Sequence, residues 1–366
     1  MPNFTQLHLV NDEKIINRTI DMFEEALPGE NLFVVNTDSD SFKHIDPRPN
    51  VISRRKFAVG GYGSKFPRIY IHYLNRQKIN LIKKLDTEDS KIFWIIWGAD
   101  IYNKLMAPRG FRLFTPGSWG DTHRPDPFER LMRRLRARRN VRFIRKFVDC
   151  IVTDTTDNDY ARLIGYYPQL ADKPWKDFFY YPIDVILGPE LMKASVNGNG
   201  IMIGNSASTT NNHEAVIELL SRFDLGERSV TVPLSYNGNP AYKEAVIAKG
   251  AALIGPNFKP LLDFMPLADY NRLQASTSHA FFGNLRQEAV GNILIVLYLG
   301  AKVFLFRSNP VYEWMQSKGL KAFAIEELTQ EELDTPLDPD TQRRNREILT
   351  SLYNRRRLGE LIAELK

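Results

Sequence analysis

Short apolar runs rich in β-branched and aromatic residues alternate with helical patterns along most of this chain. That rhythm leaves few folds open. Gln6–Val10 reads as a strand. Lys14–Leu27 then carries helical periodicity, with Ile15, Ile16, Ile20, Phe23 and Leu27 on or near one face. Asn31–Val35, Arg68–Tyr73, Ile92–Trp97, Cys150–Thr153 and Phe178–Tyr181 are further strand candidates, most of them separated by helical pieces. Strand–helix alternation implies a parallel sheet covered on both faces. Gly188, Pro189, Gly198 and Gly200 interrupt the rhythm, so Leu187–Gly200 reads as a linker. Beyond it, Gly200–Ile203, Ser229–Leu234, Ala251–Ile254, Ser278–Phe282 and Ala301–Phe306 read as strands. Asn212–Phe223, Pro240–Lys249, Pro266–Ala275 and Glu288–Leu299 read as helices. A chain of 366 residues can bury two such cores. The expected organisation is two doubly wound α/β halves, at 1–187 and 198–330, followed by basic helices at 338–366.

Charge is unevenly spread. The net charge is +6. Lys104–Lys146 alone holds thirteen Lys and Arg against three Asp and Glu, a local +10 that leaves the remainder mildly acidic. Such a patch calls for a polyanionic partner. Within it, Asp126-Pro-Phe-Glu129 carries helix-start chemistry. Phe128, Leu131, Met132 and Leu135 fall on one side of the helix that follows. Two readings stand for this helix: a solvated arginine face over a core stripe, or a surface for anionic lipid headgroups or a pyrophosphate, with Arg133, Arg134 and Arg138 among its cations. Phe111, Phe114 and Trp119, on the loop before it, either dip into a headgroup layer or pack inside. No nucleic-acid reader motif is present. No signal peptide or membrane-spanning run is expected, and the single Cys150 excludes an internal disulfide. Cytoplasmic placement follows as the expectation.

Two turns stand where an α/β domain can hold phosphates, at the carboxyl ends of expected strands. The first is Gly204-Asn205-Ser206, followed by Asn212-His213 with Glu214 placed to cap a helix. The second is Arg286-Gln287-Glu288, ahead of Gly291-Asn292 at the head of the apolar run Ile293–Gly300. Arg286 suits a diphosphate, and Gln287 or Glu288 a ribose. The plain reading makes both of them capped or solvated helix starts without a ligand. Neither turn matches the spaced-glycine dinucleotide fingerprint or a P-loop, which disfavours NAD enzymes and ATPases. A third loop, Pro233–Tyr242, offers Tyr236 for stacking on a base or sugar.

Gly204-Asn-Ser206, Asn212-His213, Val232-Pro-Leu-Ser-Tyr236 with Ala241-Tyr242, and Arg286-Gln287 with Gly291 together resemble the bacterial family of 4-α-L-fucosyltransferases. That family includes the TDP-N-acetylfucosamine:lipid II N-acetylfucosaminyltransferases. His8, Asn17-Arg-Thr19, His72, Phe93-Trp94, Ile96-Trp-Gly-Ala-Asp100 and Tyr102 extend the resemblance through the first half. It implies a GT-B architecture of two Rossmann-like domains facing a cleft, with the nucleotide sugar held by the second half and the acceptor by the first. The implied donor is a GDP- or dTDP-linked fucose-type sugar, the implied acceptor a polyprenyl-diphosphate-linked glycan, and the implied location the inner face of the cell membrane. Glu288-Ala289 departs from the family's Gln-Gly, and Phe111–Lys146 is longer and richer in arginine.

Glycosyl transfer needs a stabilised leaving diphosphate and, for inversion, a base. Asp100 is the first candidate base, since it follows an expected strand; His8, His72 and Asp12 are the others. Asp100 as a helix cap and the histidines as core residues are the plain alternatives. Asp38-Ser-Asp40 has metal-motif spacing in a polar loop, and no His/Cys cluster suggests zinc. The expectation is a metal-independent enzyme without a cofactor. The competing hypotheses are a non-catalytic sugar-nucleotide or membrane-binding protein, and a two-lobed sugar-nucleotide epimerase.

Overall fold

The computed structural model describes residues 4–62, 65–154, 156 and 158–365; residues 1–3 and 366, at the two ends of the expected segments, lie outside it. The chain forms two compact units. The first comprises residues up to Gly110, Phe128–Tyr180 and the final helix from Arg355; the second comprises Phe111–Pro127 and Tyr181–Asn354.

The first unit is a seven-stranded, wholly parallel sheet. Its strands are β1 (Gln6–Val10), β2 (Asn31–Val35), β3 (Val51–Ser53), β4 (Arg68–His72), β5 (Lys91–Ile95), β6 (Cys150–Asp154) and β7 (Trp175–Phe178). Their order is β3-β2-β1-β4-β5-β6-β7. β1 pairs with β2 and β4 in register, Leu7 beside Leu32 and Ile69. The second unit has β8 (Gly200–Ile203), β9 (Val230–Pro233), β10 (Phe258–Leu261), β11 (Thr277–Phe282), β12 (Lys302–Leu305) and β13 (Phe323–Ala324), ordered β10-β9-β8-β11-β12-β13. In each unit the order reverses beside the first strand, which is the Rossmann pattern. The central strands are buried throughout, as a sheet covered on both faces requires.

The structure corrects the expected organisation. Leu187–Gly200 is not the linker: its first part belongs to the helix Ile183–Leu191, kinked at Gly188, and this helix packs in the second unit. The chain passes between units at Tyr180–Tyr181 and returns at Asn354–Arg355. The tail therefore divides: helix Pro339–Leu352 joins the second unit and helix Arg355–Glu364 the first. Residues 111–127 pack with the second unit, although they adjoin the first in sequence.

Two strands were misplaced and two missed. Ala251–Ile254 ends the helix Pro240–Leu253, and the strand falls later, at β10. A short apolar run fits either structure, and only packing decides. Here Gly250 lets the Phe258 ring lie against the helix, since a Cβ there would sit 2.2 Å from the ring. β7 lies at Trp175–Phe178, just before the expected Phe178–Tyr181, while the short β3 and β13 carry too few residues for a pattern.

Gly250→Ala should therefore destabilise the protein by about 1–3 kcal/mol through overpacking, outweighing the gain of about 1 kcal/mol in helix propensity. Urea unfolding measures the sign; a stabilised variant would refute the packing account.

Candidate functional site

In the second unit, β8 is followed by Gly204 with φ +66. Its N–H donates to Phe281 O at 2.8 Å, tying the turn to β11. A Cβ on Gly204 would lie 2.7 Å from both Asn211 Oδ1 and His213 Nε2. Backbone conformation and crowding both demand glycine here. Asn205 N donates to Asn211 Oδ1 (3.3 Å), and Asn211 Nδ2 to Ser206 Oγ (3.3 Å). Ala207 N donates to Tyr236 O at 2.9 Å, which brings the third loop beside this turn; Tyr236 is 40% exposed.

The next helix, His213–Leu220, begins on Asn212, left-handed at φ 47 and without a side-chain cap. The buried Asn212 amide accepts from Thr115 N (3.1 Å) and donates toward Gly283 O (2.8 Å), Thr210 O (3.1 Å) and Leu113 O (3.3 Å). Glu214 does not cap the helix. Its Oε1 accepts from Trp119 N (3.0 Å) and its Oε2 from the Tyr242 hydroxyl (3.2 Å). With that hydroxyl hydrogen on Glu214, the Tyr242 oxygen accepts from His213 Nδ1 (2.9 Å). Burial pulls the His213 pKa down to about 3, so the ring is neutral with its lone pair on Nε2.

At the end of β11, Arg286 and Glu288 form a buried ion pair at 3.0 Å. Glu288 Oε2 also accepts from Thr210 Oγ1 (2.5 Å) and Asn284 Nδ2 (2.7 Å), while Arg286 Nη1 donates to Gln287 O (2.7 Å). Helix Val290–Leu299 starts beside this cluster on left-handed Ala289, again with no side-chain cap. Buried polar atoms lacking a partner gather around these two strand ends: Asn205 Oδ1, His213 Nε2, Asn284 Oδ1, Arg286 Nε and Thr115 Oγ1. Buried polar groups are normally satisfied, so this concentration of unused hydrogen-bonding capacity makes the place the candidate site.

The expected donor residues thus separate. Gly204, Asn205, Ser206, Tyr236, Arg286, Gln287 and Glu288 meet around the two turns. Asn212, His213 and Tyr242 are fully buried behind them and hold the turns in shape. Gly291 serves close packing, since a Cβ there would sit 2.8 Å from the Tyr181 ring. Asn292 points to Tyr270 (3.0 Å) and Gln274 (3.4 Å). Sequence reading missed Thr210, Asn211, Asn284 and the segment Leu113–Trp119; the run Thr209-Thr-Asn-Asn212 between a strand and a helix was the available signal. Phe114 and Trp119 are not lipid-facing. A Cβ on Gly120 would lie 2.2 Å from the Phe114 ring, and Trp119 stacks on His123 (3.8 Å) and meets Tyr242 edge-on (6.0 Å). Phe111 is half-buried.

In the first unit, each of the candidate bases is engaged by neighbouring groups of the protein. Asp100 is buried, its Oδ2 accepting from Leu74 N (3.0 Å) and Trp94 Nε1 (2.9 Å) and its Oδ1 from Trp97 N (2.9 Å). It is a clamp on two strand ends, not a base. Asp12 holds the backbone of Lys43 (2.6 Å) and His44 (2.9 Å). Asp38 and Asp40 are paired with Arg54 and Arg55 at 2.6 Å each, which opposes a metal role. His8 and His72 are fully buried within one directed chain. Asn31 gives its amide hydrogens to the Leu27 carbonyl (2.7 Å), the Phe23 carbonyl (3.2 Å) and Glu24 (3.0 Å), so its oxygen accepts from His8 Nε2 (3.1 Å). His8 Nδ1 then accepts from His72 Nε2 (3.2 Å), His72 Nδ1 from the Tyr180 hydroxyl (2.6 Å), and the Tyr180 oxygen from Trp97 Nε1 (2.7 Å). Burial holds His8 down at about 3 and His72 well below its usual value. Burial also pushes the Asp159 carboxyl up to about 7, and it accepts from the Tyr102 and Thr156 hydroxyls.

The basic helix Pro127–Phe147 behaves differently at its two ends. Its C-terminal half buries Val141, Phe143 and Ile144. Its N-terminal half exposes Phe128 (71%), Leu131 (52%) and Leu135 (44%), with Arg133, Arg134 and Arg138 exposed beside them. The core-stripe reading is overturned for this half.

Comparison with known proteins agrees with the fold and the family pattern. The family described as 4-alpha-L-fucosyltransferase glycosyl transferase group 56 matches residues 142–343, more than half of the chain. Among solved structures, the Anabaena protein HepE in complex with UDP and glucose is 12% identical, with a TM-score of 0.67 and coverage of 98% of both chains. Sucrose-phosphate synthase from Thermosynechococcus elongatus is 11% identical, with a TM-score of 0.64 over 99% of this chain and 98% of that one. A Rickettsia africae glycosyltransferase is 13% identical, with a TM-score of 0.61 over 100% of this chain and 99% of that one. The fold is that of the GT-B glycosyltransferases.

The buried titrations predict an acid-labile fold. His8, His72, His213 and His279 all have lowered folded pKa values, the last about 4. Each contributes stability that is complete above about pH 6.5 and is lost as pH falls toward the folded value. Asp159 is raised, so its contribution is complete below about pH 4 and lost as pH rises through 7. Four depressed groups oppose one raised group. Unfolding free energy should therefore rise from pH 4 to 6.5, each group contributing up to about 1.4 kcal/mol per unit. A flat profile in urea titrations would contradict the buried-neutral assignment.

Proposed function

This chain belongs to the group 56 glycosyltransferase family of 4-α-L-fucosyltransferases, and on that premise we propose that it moves a fucose-type 6-deoxysugar from a nucleoside diphosphate to a polyprenyl-diphosphate-linked oligosaccharide at an anionic membrane surface. The sugar is fucose or 4-acetamido-4,6-dideoxygalactose, carried on GDP or dTDP. The observation that carries the donor half is the group of unsatisfied buried polar atoms at the ends of β8 and β11, beside a helix that starts without a side-chain cap. First-turn N–H groups and the helix dipole favour a diphosphate there. Because Glu288 neutralises Arg286, much of the stabilisation of the leaving diphosphate falls on those N–H groups and on the Asn205 side-chain N–H groups, while Asn284, whose amide hydrogens go to Thr210 O and Glu288, keeps its oxygen for a sugar hydroxyl. Glu288 uses Oε2 for Thr210, Asn284 and Arg286. Its Oε1 is the acceptor for a ribose hydroxyl. Tyr236, exposed on the neighbouring loop, stacks on the base. HepE was solved with UDP and with UDP-glucose, which supports a nucleotide-sugar donor. No metal or cofactor enters this reading.

The acceptor half rests on the basic helix. Among the described residues no helix is long and apolar enough to cross a membrane. Phe128, Leu131 and Leu135 together form an apolar edge flanked by arginines. Embedding each such side chain gains about 1.5–3 kcal/mol, and each arginine near an anionic surface about 1 kcal/mol. Peripheral attachment at the cytoplasmic face follows, and a lipid-linked acceptor is the substrate found there.

Thermal shift with GDP, dTDP and UDP tests the donor site. One nucleoside diphosphate should raise Tm in proportion to its affinity, and Arg286→Ala should lower that affinity at least tenfold. Unchanged affinity in the variant would remove Arg286 from the site. For the membrane, Leu131→Ser combined with Leu135→Ser should abolish co-sedimentation with anionic phosphatidylglycerol vesicles while leaving Tm within a degree or so, since surface changes fall within about 0.5 kcal/mol. Retained sedimentation would exclude this helix as the anchor.

A further inference from the structure

At the carboxyl ends of β4 and β5 the first unit builds an aromatic surface that the donor chemistry leaves unused. Tyr73 is left-handed, φ 65, a conformation that a bulky residue rarely adopts. Several groups hold it there. Its N–H donates to Ile95 O (3.1 Å), and the buried Lys78 ammonium donates to the carbonyls of His72 and of Tyr73 itself, the latter at 3.2 Å. A strained backbone and a buried lysine are both unfavourable, and together they serve to aim one ring. Trp97 is fixed at both ends, its N–H on Asp100 Oδ1 and its indole N–H on the Tyr180 oxygen. With the indole N–H engaged, the ring offers its face and not a donor. The Tyr73 and Trp97 rings lie 5.9 Å apart at 52°. Lys104 closes one side, its ammonium 3.8 Å from the Tyr73 centroid and 3.0 Å from Leu74 O. Tyr73, Trp97 and Lys104 are each half-buried, so part of each stays open.

The directed chain from Asn31 through His8, His72 and Tyr180 ends on Trp97. Every hydrogen in it has one allowed position, because the Asn31 amide is fixed by the carbonyls it bonds. Both histidines are held neutral, so the chain carries no charge to the surface. Its effect is to lock the Tyr180 hydroxyl and, through it, the plane of the indole.

The geometry points to a pyranose-stacking platform: Tyr73 and Trp97 take the apolar face of a sugar ring of the acceptor, and Lys104 donates to one of its hydroxyls. Aromatic rings in fixed planes suit the C–H face of a pyranose. The Lys104 ammonium has three donors, of which Leu74 O takes one. This assignment rests on the transferase reading only in naming the sugar as the acceptor's. Trp97 and Tyr73 would contact substrate; Asp100, Tyr180 and His72 are positioning residues that act through them.

Tyr73→Gly is the decisive variant, because glycine accepts φ 65 without strain while removing the ring. Saturation-transfer NMR with methyl glucopyranoside and methyl N-acetylglucosaminide reads the contact directly. The native protein should transfer saturation to protons on one face of at least one of these sugars. Tyr73→Gly and Trp97→Leu should each reduce that transfer at least tenfold, with the Tm of Tyr73→Gly undiminished and the nucleotide-induced thermal shift unchanged in both. Equal transfer in Tyr73→Gly, or no transfer to either glycoside in the native protein, would overturn the platform. Sugar binding of this kind in a protein that binds no nucleoside diphosphate would instead sink the transferase reading and leave the platform standing.

Discussion

The side-chain amide of Asn212 is the point on which the second unit depends. It joins the Leu113–Thr115 segment, the 209–212 turn and the end of β11 at Gly283. The bond that a residue in this place would ordinarily make, a cap on its own helix, is absent because the amide is engaged elsewhere. That redirection leaves the start of the helix His213–Leu220 uncapped. One amide therefore ties the 209–212 turn to the end of β11 and recruits a stretch of chain that belongs, by sequence, beside the other unit.

The Arg286–Glu288 pair raises a related question of energetics. Burying an ion pair gives little net stability, and apolar replacements of similar volume often do better. Here the pair has extra hydrogen bonds from Thr210 and Asn284, which offset its desolvation. It also leaves Arg286 Nε and Asn284 Oδ1 unsatisfied. The cluster stands beside a helix that starts without a side-chain cap. The first unit shows the opposite design. The Asp100 clamp and the Asn31–Trp97 chain engage both oxygens and every ring nitrogen they contain, which gives rigid rings and no free base.

The architecture was legible because parallel strands buried on both faces read as apolar runs separated by helices. The strands at Gln6–Val10, Asn31–Val35 and Gly200–Ile203 stand where the pattern put them. The exchange of segments between units was not legible. Nothing local in Phe111–Pro127 announces that its backbone amides will meet Asn212 and Glu214, since those bonds span 95 residues or more. The two phosphate-type turns were found by their glycine and amide chemistry. Residue roles within them were not, because Asn212, Tyr242 and Asn292 carry the same side-chain chemistry whether they face a ligand or a neighbouring helix. Asp100 was misread for a similar reason: a carboxylate after a strand end looks like a base until the three N–H groups it accepts are in view. The basic helix was read two ways: the core stripe holds for its C-terminal half, and the N-terminal half leaves Phe128, Leu131 and Leu135 exposed.

The second unit thus brings two turns and an uncapped helix start together, the first holds rings in fixed planes, and the basic helix has an exposed apolar edge flanked by arginines. The most direct measurement is release of free nucleoside diphosphate from GDP- and dTDP-linked 6-deoxysugars by the purified protein. It is made in anionic vesicles with and without a polyprenyl-diphosphate-linked oligosaccharide. The account predicts release from one of these donors only when acceptor is present, with an equal amount of sugar appearing on the lipid. No acceptor-dependent release from any deoxysugar donor would contradict it and leave a sugar-nucleotide-binding protein without turnover.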